Sequence, residues 1–318
     1  MSRQRVRRLA ERFGYLEYMV ERYLALFGEE TEAFLEGNDM VLPKTIRCNT
    51  LAIEPQVLVK RLESKGFELE AVEGMDYAFR VTVGKLPLGA TTEYLLGYYF
   101  VQSVASMWAV EVLNPREGRI VVDMCAAPGG KTTHIAQLMG NKGALLATDI
   151  SRDRMRGLRS NLSRLRVENA IAIRVDAAQL PETKVRADKV LLDAPCTGEG
   201  LIPLNPERKQ SRRLQDIETM VAVQRKLIIV ASKLLKEGGT LVYSTCSFAP
   251  EENEEIIDFA LQRCPLRVVD TGLAFGNPGL TMPFGRVLDE SLVNARRFYP
   301  YKHLMEGFFI CTLEKVAA

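Results

Sequence analysis

The sequence has little with which to hold a metal. Its only histidines are His134 and His303, and its six cysteines, at 48, 125, 196, 246, 264 and 311, form no Cys-x-x-Cys pair. A structural zinc site needs such ligands at short spacings, so no metal is expected. An excess of charge is also missing: 42 lysines and arginines stand against 40 acids, a formal net of +2. This excludes an acidic disordered tail and a histone-like basic protein but leaves room for a local basic face. No apolar run reaches the roughly 18–20 residues of a membrane-spanning helix, since even 227–235 is broken by Ser232 and Lys233. The charged opening, Arg3-Gln-Arg-Val-Arg-Arg8, offers no export region, so a cytoplasmic, reducing setting with free thiols is expected. There are no internal repeats or low-complexity tracts.

What remains is ordinary globular composition: 318 residues, 47% hydrophobic, enough for a large domain with a smaller one attached. Leu9, Phe13, Leu16, Val20, Leu24 and Phe27 recur at helical spacing, broken at Gly14 and closed near Gly28, which predicts a helical segment within residues 1–40. Residues 41–105 read as a small α+β unit, with strands at 46–49, 67–72 and 79–83 and a helix over 56–65. From 106 to 318, short apolar runs alternate with longer amphipathic segments, as a parallel sheet covered by helices requires. Strands are predicted at 119–124, 144–148, 170–175, 189–193, 240–244, 266–270 and 308–313, and helices at 131–139, 152–164, 214–236 and 252–263. The fold class is therefore α/β, a Rossmann-like seven-stranded sheet with helices on both faces, plus the small N-terminal α+β domain.

The run Asp123-Met-Cys-Ala-Ala-Pro-Gly-Gly-Lys-Thr132 falls where the first strand of that sheet gives way to a helix, and its small residues let a ligand approach the backbone. It matches neither GxGxxG nor the phosphate loop GxxxxGK[ST], which disfavours a nucleotide triphosphatase. Asp123, Asp149, Asp176 and Asp193 stand at or just past the ends of four consecutive predicted strands. Each acid alone could merely cap the following helix. Together they are better explained by one shared ligand, with a ribose diol beside Asp149, and S-adenosylmethionine fits that pattern.

Asp193-Ala-Pro-Cys-Thr-Gly198 follows the fourth strand and Ser244-Thr-Cys-Ser-Phe248 the fifth, which would bring Cys196 and Cys246 to one edge of the sheet beside the cofactor. Cys48, Cys264 and Cys311 read as small core residues. A thiolate beside a methyl donor suits methylation at C5 of a pyrimidine, a carbon that is not nucleophilic while the ring stays aromatic. Addition of sulfur at C6 makes C5 enamine-like, and later elimination restores the ring. A carboxyl such as Asp193 on the N3/N4 edge would favour cytosine over uracil. Spacing alone leaves open which cysteine attacks.

These runs, 123–132, 193–198 and 244–247, resemble the signature motifs of the Nop/Sun family of RNA cytosine-5 methyltransferases. The likeness extends to Pro43-Lys-Thr-Ile-Arg-Cys-Asn49, Gln102-Ser-Val-Ala-Ser106, Asn205-Pro-Glu-Arg208, Tyr299-Pro-Tyr-Lys-His303 and Glu306-Gly-Phe-Phe309, and so covers residues 43 to 313. The resemblance implies a class I S-adenosylmethionine methyltransferase fold, with Cys246 as nucleophile and Cys196 assisting product release. It also implies that Cys125, Ala126, Ala127, Pro128, Gly129, Gly130, Lys131, Asp149, Arg154, Asp176 and Asp193 surround the cofactor. Lys131 and Asp193 would face the target base as well. In similar archaeal sequences a basic pair precedes Asn205 and an aromatic follows Lys209, whereas Pro203-Leu204 and Gln210 stand here.

The implied partner is RNA, transfer RNA first and ribosomal RNA as the alternative, acted on by a monomer. A catalytically idle RNA-binding assembly factor is the reading from another class, and the intact Cys196, Cys246, Asp193 and Lys131 speak against it. Asp193-Ala-Pro-Cys also departs from the Asn/Asp-Pro-Pro-Tyr/Phe run of adenine N6 and glutamine methyltransferases. Arginines at 152, 154, 156, 159, 164 and 166, and the group Arg208, Lys209, Arg212 and Arg213, are candidates for phosphate contact or simply solvated faces. By resemblance, residues ~40–105 form an RNA-recognition-like accessory module. Because the last expected strand closes at Leu313, substrate choice is expected to come from residues 1–105 and the loops.

Overall fold

Gly14 and Gly28 both take positive φ (71° and 56°), which L side chains adopt poorly, and they divide the N-terminal amphipathic stretch into helices Arg3–Phe13 and Glu17–Phe27. The chain is described here from a computed structural model, which covers residues 3–317; Met1, Ser2, Ala318 and the side chains of 181–183 lie outside the description. A third helix, Thr31–Gly37, follows past the apolar repeat that closes near Gly28. By its contacts the chain forms two compact units, each assembled from separate stretches. One takes the chain up to Leu42, Ala194–Ile229 and Tyr243–Leu313; the other takes Pro43–Asp193, Val230–Val242 and the residues from Glu314.

The strands, in chain order, are β1 Lys44–Cys48, β2 Glu68–Val72, β3 Met75–Val83, β4 Tyr99–Val101, β5 Ile120–Asp123, β6 Ala144–Asp149, β7 Ala170–Arg174, β8 Ala187–Asp193 and β9 Leu235–Thr245. They continue with β10 Leu266–Val269, β11 Asn277–Pro278, β12 Arg296–Phe298 and β13 Phe308–Lys315. In the second unit, β1–β4 make an antiparallel sheet in the order β2-β3-β1-β4. Ile46, Phe67 and Tyr99 share a core there with Leu58 and Leu62 of helix Pro55–Glu63. The same unit holds the run β9-β8-β5-β6-β7, in which β8, β5, β6 and β7 are mutually parallel. Parallel strands put every carboxyl end on one edge, where ligands of open α/β sheets bind.

The first unit carries β11-β12-β13, with the last residues of β9 beside β13 and β10 also paired to β13. Its core joins Leu9, Val20, Tyr23, Phe34 and Leu35 of the N-terminal helices to Ile202, Phe248 and Tyr299. All seven strands expected of the large sheet are present. The two short strands β11 and β12 add to the seven-stranded expectation, their shortness having hidden them. No helix among the described residues is long and apolar enough to cross a membrane.

Candidate active site

β5, β6 and β8 end in Asp123, Asp149 and Asp193, so neighbouring strands deliver three carboxyls to one edge, and Asp176 lies two residues past β7. Helix Gly130–Leu138 begins in the loop after β5. Its N-cap Gly129 sits at φ +106°, where a Cβ would stand 3.0 Å from Leu158 Cδ1. A Cβ on Gly130 would stand 3.1 Å from the Phe100 ring. The two glycines therefore let Leu158 and Phe100 pack directly on the loop backbone, and a side chain at either position would have to push them aside.

Phe100, Val101, Gln102, Ser103, Ser106, Cys125, Ala126, Ala127, Pro128, Gly130, Lys131 and Asp193 line a cleft of about 210 Å³ beside this loop. Lys131 Nζ lies 2.7 Å from Asp193 Oδ2, both side chains mostly buried. Asp123 is covered, and its Oδ2 accepts from the Thr132 hydroxyl at 2.7 Å. Burial pushes its carboxyl up to about 7, with Asp193 adding to the rise and Thr132 and Lys131 opposing it. Burial also raises the Cys125 thiol, helped by the surrounding aspartates, so this cysteine stays neutral.

Asp149, Arg154 and Asp176 do not line that cleft. Asp149 accepts from the backbone amides of Ala127 (3.2 Å) and Ser151 (2.9 Å), and Arg154 donates to the Ala127 carbonyl while lying 3.5 Å from Asp149. Both residues thus brace the loop. Asp176 is exposed and accepts from the amide of Ala178 at 2.9 Å. Among the described residues, no group of three or more His, Cys, Asp or Glu could hold a metal ion.

In the first unit, Cys196 Sγ and Cys246 Sγ are 3.3 Å apart, both as free thiols. Main-chain bonds hold their loops together: the Ala194 amide donates to Ser244 O at 2.8 Å and the Gly200 amide to Cys246 O at 2.9 Å. Gly200 must be glycine, because a Cβ would fall 2.1 Å from Gly307 O. Glu252 clasps both loops from behind. Fully buried, it accepts from the Thr197 amide at 2.8 Å, the Thr197 hydroxyl at 2.5 Å, the Ser247 hydroxyl and Gln224 Nε2 at 3.1 Å. Gln224 Nε2 also donates to Pro195 O at 2.8 Å. Sequence reading passed over Glu252 because it sits in an acidic run, Glu251-Glu252-Asn253-Glu254-Glu255, that reads as a helix start. Cys48 and Cys311 are core residues as expected, and Cys264 is half-buried.

Several candidate RNA contacts are engaged within the fold. Arg164 Nη1 donates to Tyr94 O (2.7 Å) and Tyr99 O (3.2 Å), and its guanidinium lies 4.0 Å over the Tyr94 ring. Arg208 donates to Thr197 O at 3.0 Å, and the buried Lys209 to Phe13 O at 2.9 Å and to Asp39. Gln210 donates to Gly14 O at 2.7 Å. Arg152, Arg156, Arg159 and Arg213 remain exposed.

Residues 110–314 match the profile of the family described as 16S rRNA methyltransferase RsmB/F, and residues 17–104 that of the N-terminal domain of 16S rRNA methyltransferase RsmF. The chain belongs to the RsmB/F family. Among RsmB/F relatives, a mouse 28S rRNA (cytosine-C(5))-methyltransferase is 40% identical over 96% of this chain, which spans 40% of that protein's length. A Pyrococcus horikoshii tRNA (cytosine(72)-C(5))-methyltransferase is 41% identical over 78% of this chain and 60% of its own. The solved structure of NSun6 from Pyrococcus horikoshii with SFG, an analogue of S-adenosylmethionine, superposes with a TM-score of 0.84 at 30% identity, covering 94% of this chain and 97% of that one. The RsmB/F assignment and this superposition establish the methyltransferase fold expected from the sequence.

Proposed function

We propose that this chain transfers a methyl group from S-adenosylmethionine to C5 of cytosine in RNA through a covalent adduct with cysteine. The observation that carries this reading is the pair of free thiols 3.3 Å apart, presented by two strand-end loops that one buried carboxyl braces. In this reading Cys246 adds to C6 of the base, C5 becomes nucleophilic, and after methylation the C5 proton leaves and the sulfur is eliminated. Cys196 assists that release. Bound S-adenosylmethionine supplies the electrophilic methyl group.

Cys125 to Lys131, with Asp149, Arg154, Asp176 and Asp193, hold the cofactor. Asp149 and Arg154 do so by keeping the loop in shape. The Lys131–Asp193 pair fixes the Asp193 carboxyl so that it can bond the N3/N4 edge of the cytosine. The functional division follows: a helical segment to residue 40, an RNA-recognition-like module over 41–105 and a catalytic domain from 106. Transfer RNA is the substrate we favour, supported by the Pyrococcus relative. The mouse relative and the family description favour ribosomal RNA as the second reading. The chain acts as a cytoplasmic monomer.

The roles of the thiols are tested by trapping. Cys246→Ala should abolish turnover, whereas Cys196→Ala should accumulate a covalent protein–RNA adduct visible as a shifted band on a denaturing gel. Accumulation in Cys246→Ala instead would reverse the two roles.

A further inference from the structure

Cys196 and Cys246 stand opposite each other on two chain segments that run in register. The Ala194 amide donates to Ser244 O, and two residues further along Cys196 Sγ meets Cys246 Sγ at 3.3 Å. One residue beyond that, the Thr197 and Ser247 hydroxyls face each other at 3.3 Å, so two consecutive pairs of side chains are matched across the loops. Neither segment can drift. The Gly200 amide donates to Cys246 O at 2.9 Å, and the buried Glu252 carboxyl accepts from the Thr197 amide and the Ser247 hydroxyl together. A disulfide joins Cβ atoms roughly 3.5–4.5 Å apart, and two sulfurs already in contact on backbones pinned before and after them need little more than a side-chain rotation to bond.

Methyl transfer does not ask for this contact. In the proposed reaction both sulfurs act on the base, one adding to C6 and the other assisting release, and neither step requires the sulfurs to touch. Accessibility sets the pair apart as well. Both thiols are half-buried, whereas Cys48 and Cys311 lie in the core. Burial pushes the Cys48 thiol up to about 12 and raises Cys125 and Cys311 too, which keeps these three protonated and slow to react near neutral pH.

We propose that Cys196 and Cys246 close into a reversible disulfide that switches methyl transfer off, with hydrogen peroxide as the oxidant and a dithiol as the reductant. One thiolate attacks a peroxide oxygen, the O–O bond breaks, a sulfenic acid forms, and the departing hydroxide takes up the thiol's proton as water. The second thiolate attacks that sulfur, the S–S bond forms as the S–O bond breaks, and a second water leaves. The pair gives up two electrons and two protons, and the peroxide becomes two waters. A dithiol reopens the bond by exchange and ends as its own disulfide. Disulfides of this transient kind are the ones that reducing compartments use for sensing. While the bond is closed, Cys246 has no thiolate to add to C6. The loss of turnover therefore rests on the role given to Cys246 in the proposed function, whereas closure of the bond does not. The closed form also keeps Cys246 off the irreversible path to sulfinic acid.

Peptide mapping of the full chain tests this. The reduced protein is treated with a small excess of hydrogen peroxide, its remaining thiols are blocked with N-ethylmaleimide, and it is digested without reductant. The expected product is a cross-linked peptide pair joining residues 196 and 246, with the intact mass lower by two hydrogens, and dithiothreitol should reverse both. Turnover on RNA should fall in proportion to the cross-linked fraction and return in full on reduction. Cys264→Ser, outside both loops, should respond as the unaltered chain does. In Cys196→Ser the Cys246 peptide should instead carry two added oxygens that dithiothreitol does not remove. Peptides bearing 196 and 246 recovered unlinked, whether blocked as thiols or separately oxidised, would overturn the proposal, and so would undiminished turnover in fully cross-linked protein. A reduced chain that closes the bond yet methylates no RNA would refute the proposed function and leave the disulfide itself established, so the two failures are distinct.

Discussion

Buried acids shape the pH response of this chain residue by residue. Asp123 rises from an ordinary 3.8 to about 7, and Glu199, donated to by Tyr23 Oη at 3.2 Å, rises from 4.5 to about 7, in both cases chiefly through burial. A carboxyl whose folded value is raised favours folding while it is protonated. That contribution is complete below pH ~4 and is lost as the pH climbs through about 7. Asp123→Asn removes one of these titrations, so urea unfolding measured at pH 4, 6 and 8 should show a shallower decline than the unaltered chain, by on the order of a few kcal/mol. An unchanged decline would mean that Asp123 is not the buried acid described. Glu252 belongs to this scale too. Glu252→Ala strands the Thr197 amide and the Ser247 hydroxyl without their acceptor, at a cost of roughly 2–4 kcal/mol by chemical denaturation. It should also slow adduct formation with RNA, because both thiol-bearing loops lose their common anchor.

The loops that carry the chemistry depend on glycines that no side chain can replace. Gly200→Ala would drive a methyl group into Gly307 O and the carbonyl of Cys246, so it should lower the melting temperature and abolish methyl transfer even though both cysteines remain. Full activity in that variant would show that the close packing of the two loops is dispensable. Most elements could be read from the sequence at this scale. Alternation of short apolar runs with amphipathic ones marked all seven strands of the large sheet, and Arg152–Arg164 was found to the residue because Ser151 caps it and Met155, Leu158 and Leu162 stripe one face. Helix Val104–Leu113 was passed over because it is apolar on nearly every side and gives no 3.6-residue rhythm; only its Ser103 cap signalled it. β4, three residues long, read as a connection. The thiols and the loop at 123–131 were legible because each is a local run of unusual residue types. The grip of Glu252 on Thr197 was not, since it joins residues 55 apart that nothing in the local sequence connects.

At the scale of the whole molecule, chain order and packing diverge. The first unit gathers the N-terminal helices, the segment after β8 and the region after β9, so the segment up to residue 40 is part of a core rather than an appendage. Leu9, Val20, Phe34 and Leu35 pack with Phe248 and Tyr299, two residues placed near the Cys246 loop and β12 by the chain itself. Deleting residues 3–40 should therefore leave a chain that is insoluble or melts well below the intact one by differential scanning calorimetry, whereas an unchanged melting temperature would show the segment to be dispensable to that core.

The central claim is that this chain makes 5-methylcytidine in RNA. Incubating it with methyl-labelled S-adenosylmethionine and, separately, total transfer RNA and ribosomal RNA, followed by digestion and nucleoside analysis, tests that claim most directly. The account predicts label in 5-methylcytidine, abolished by Cys246→Ala, with transfer RNA the better acceptor. Label in any other nucleoside, or turnover that survives Cys246→Ala, would contradict it.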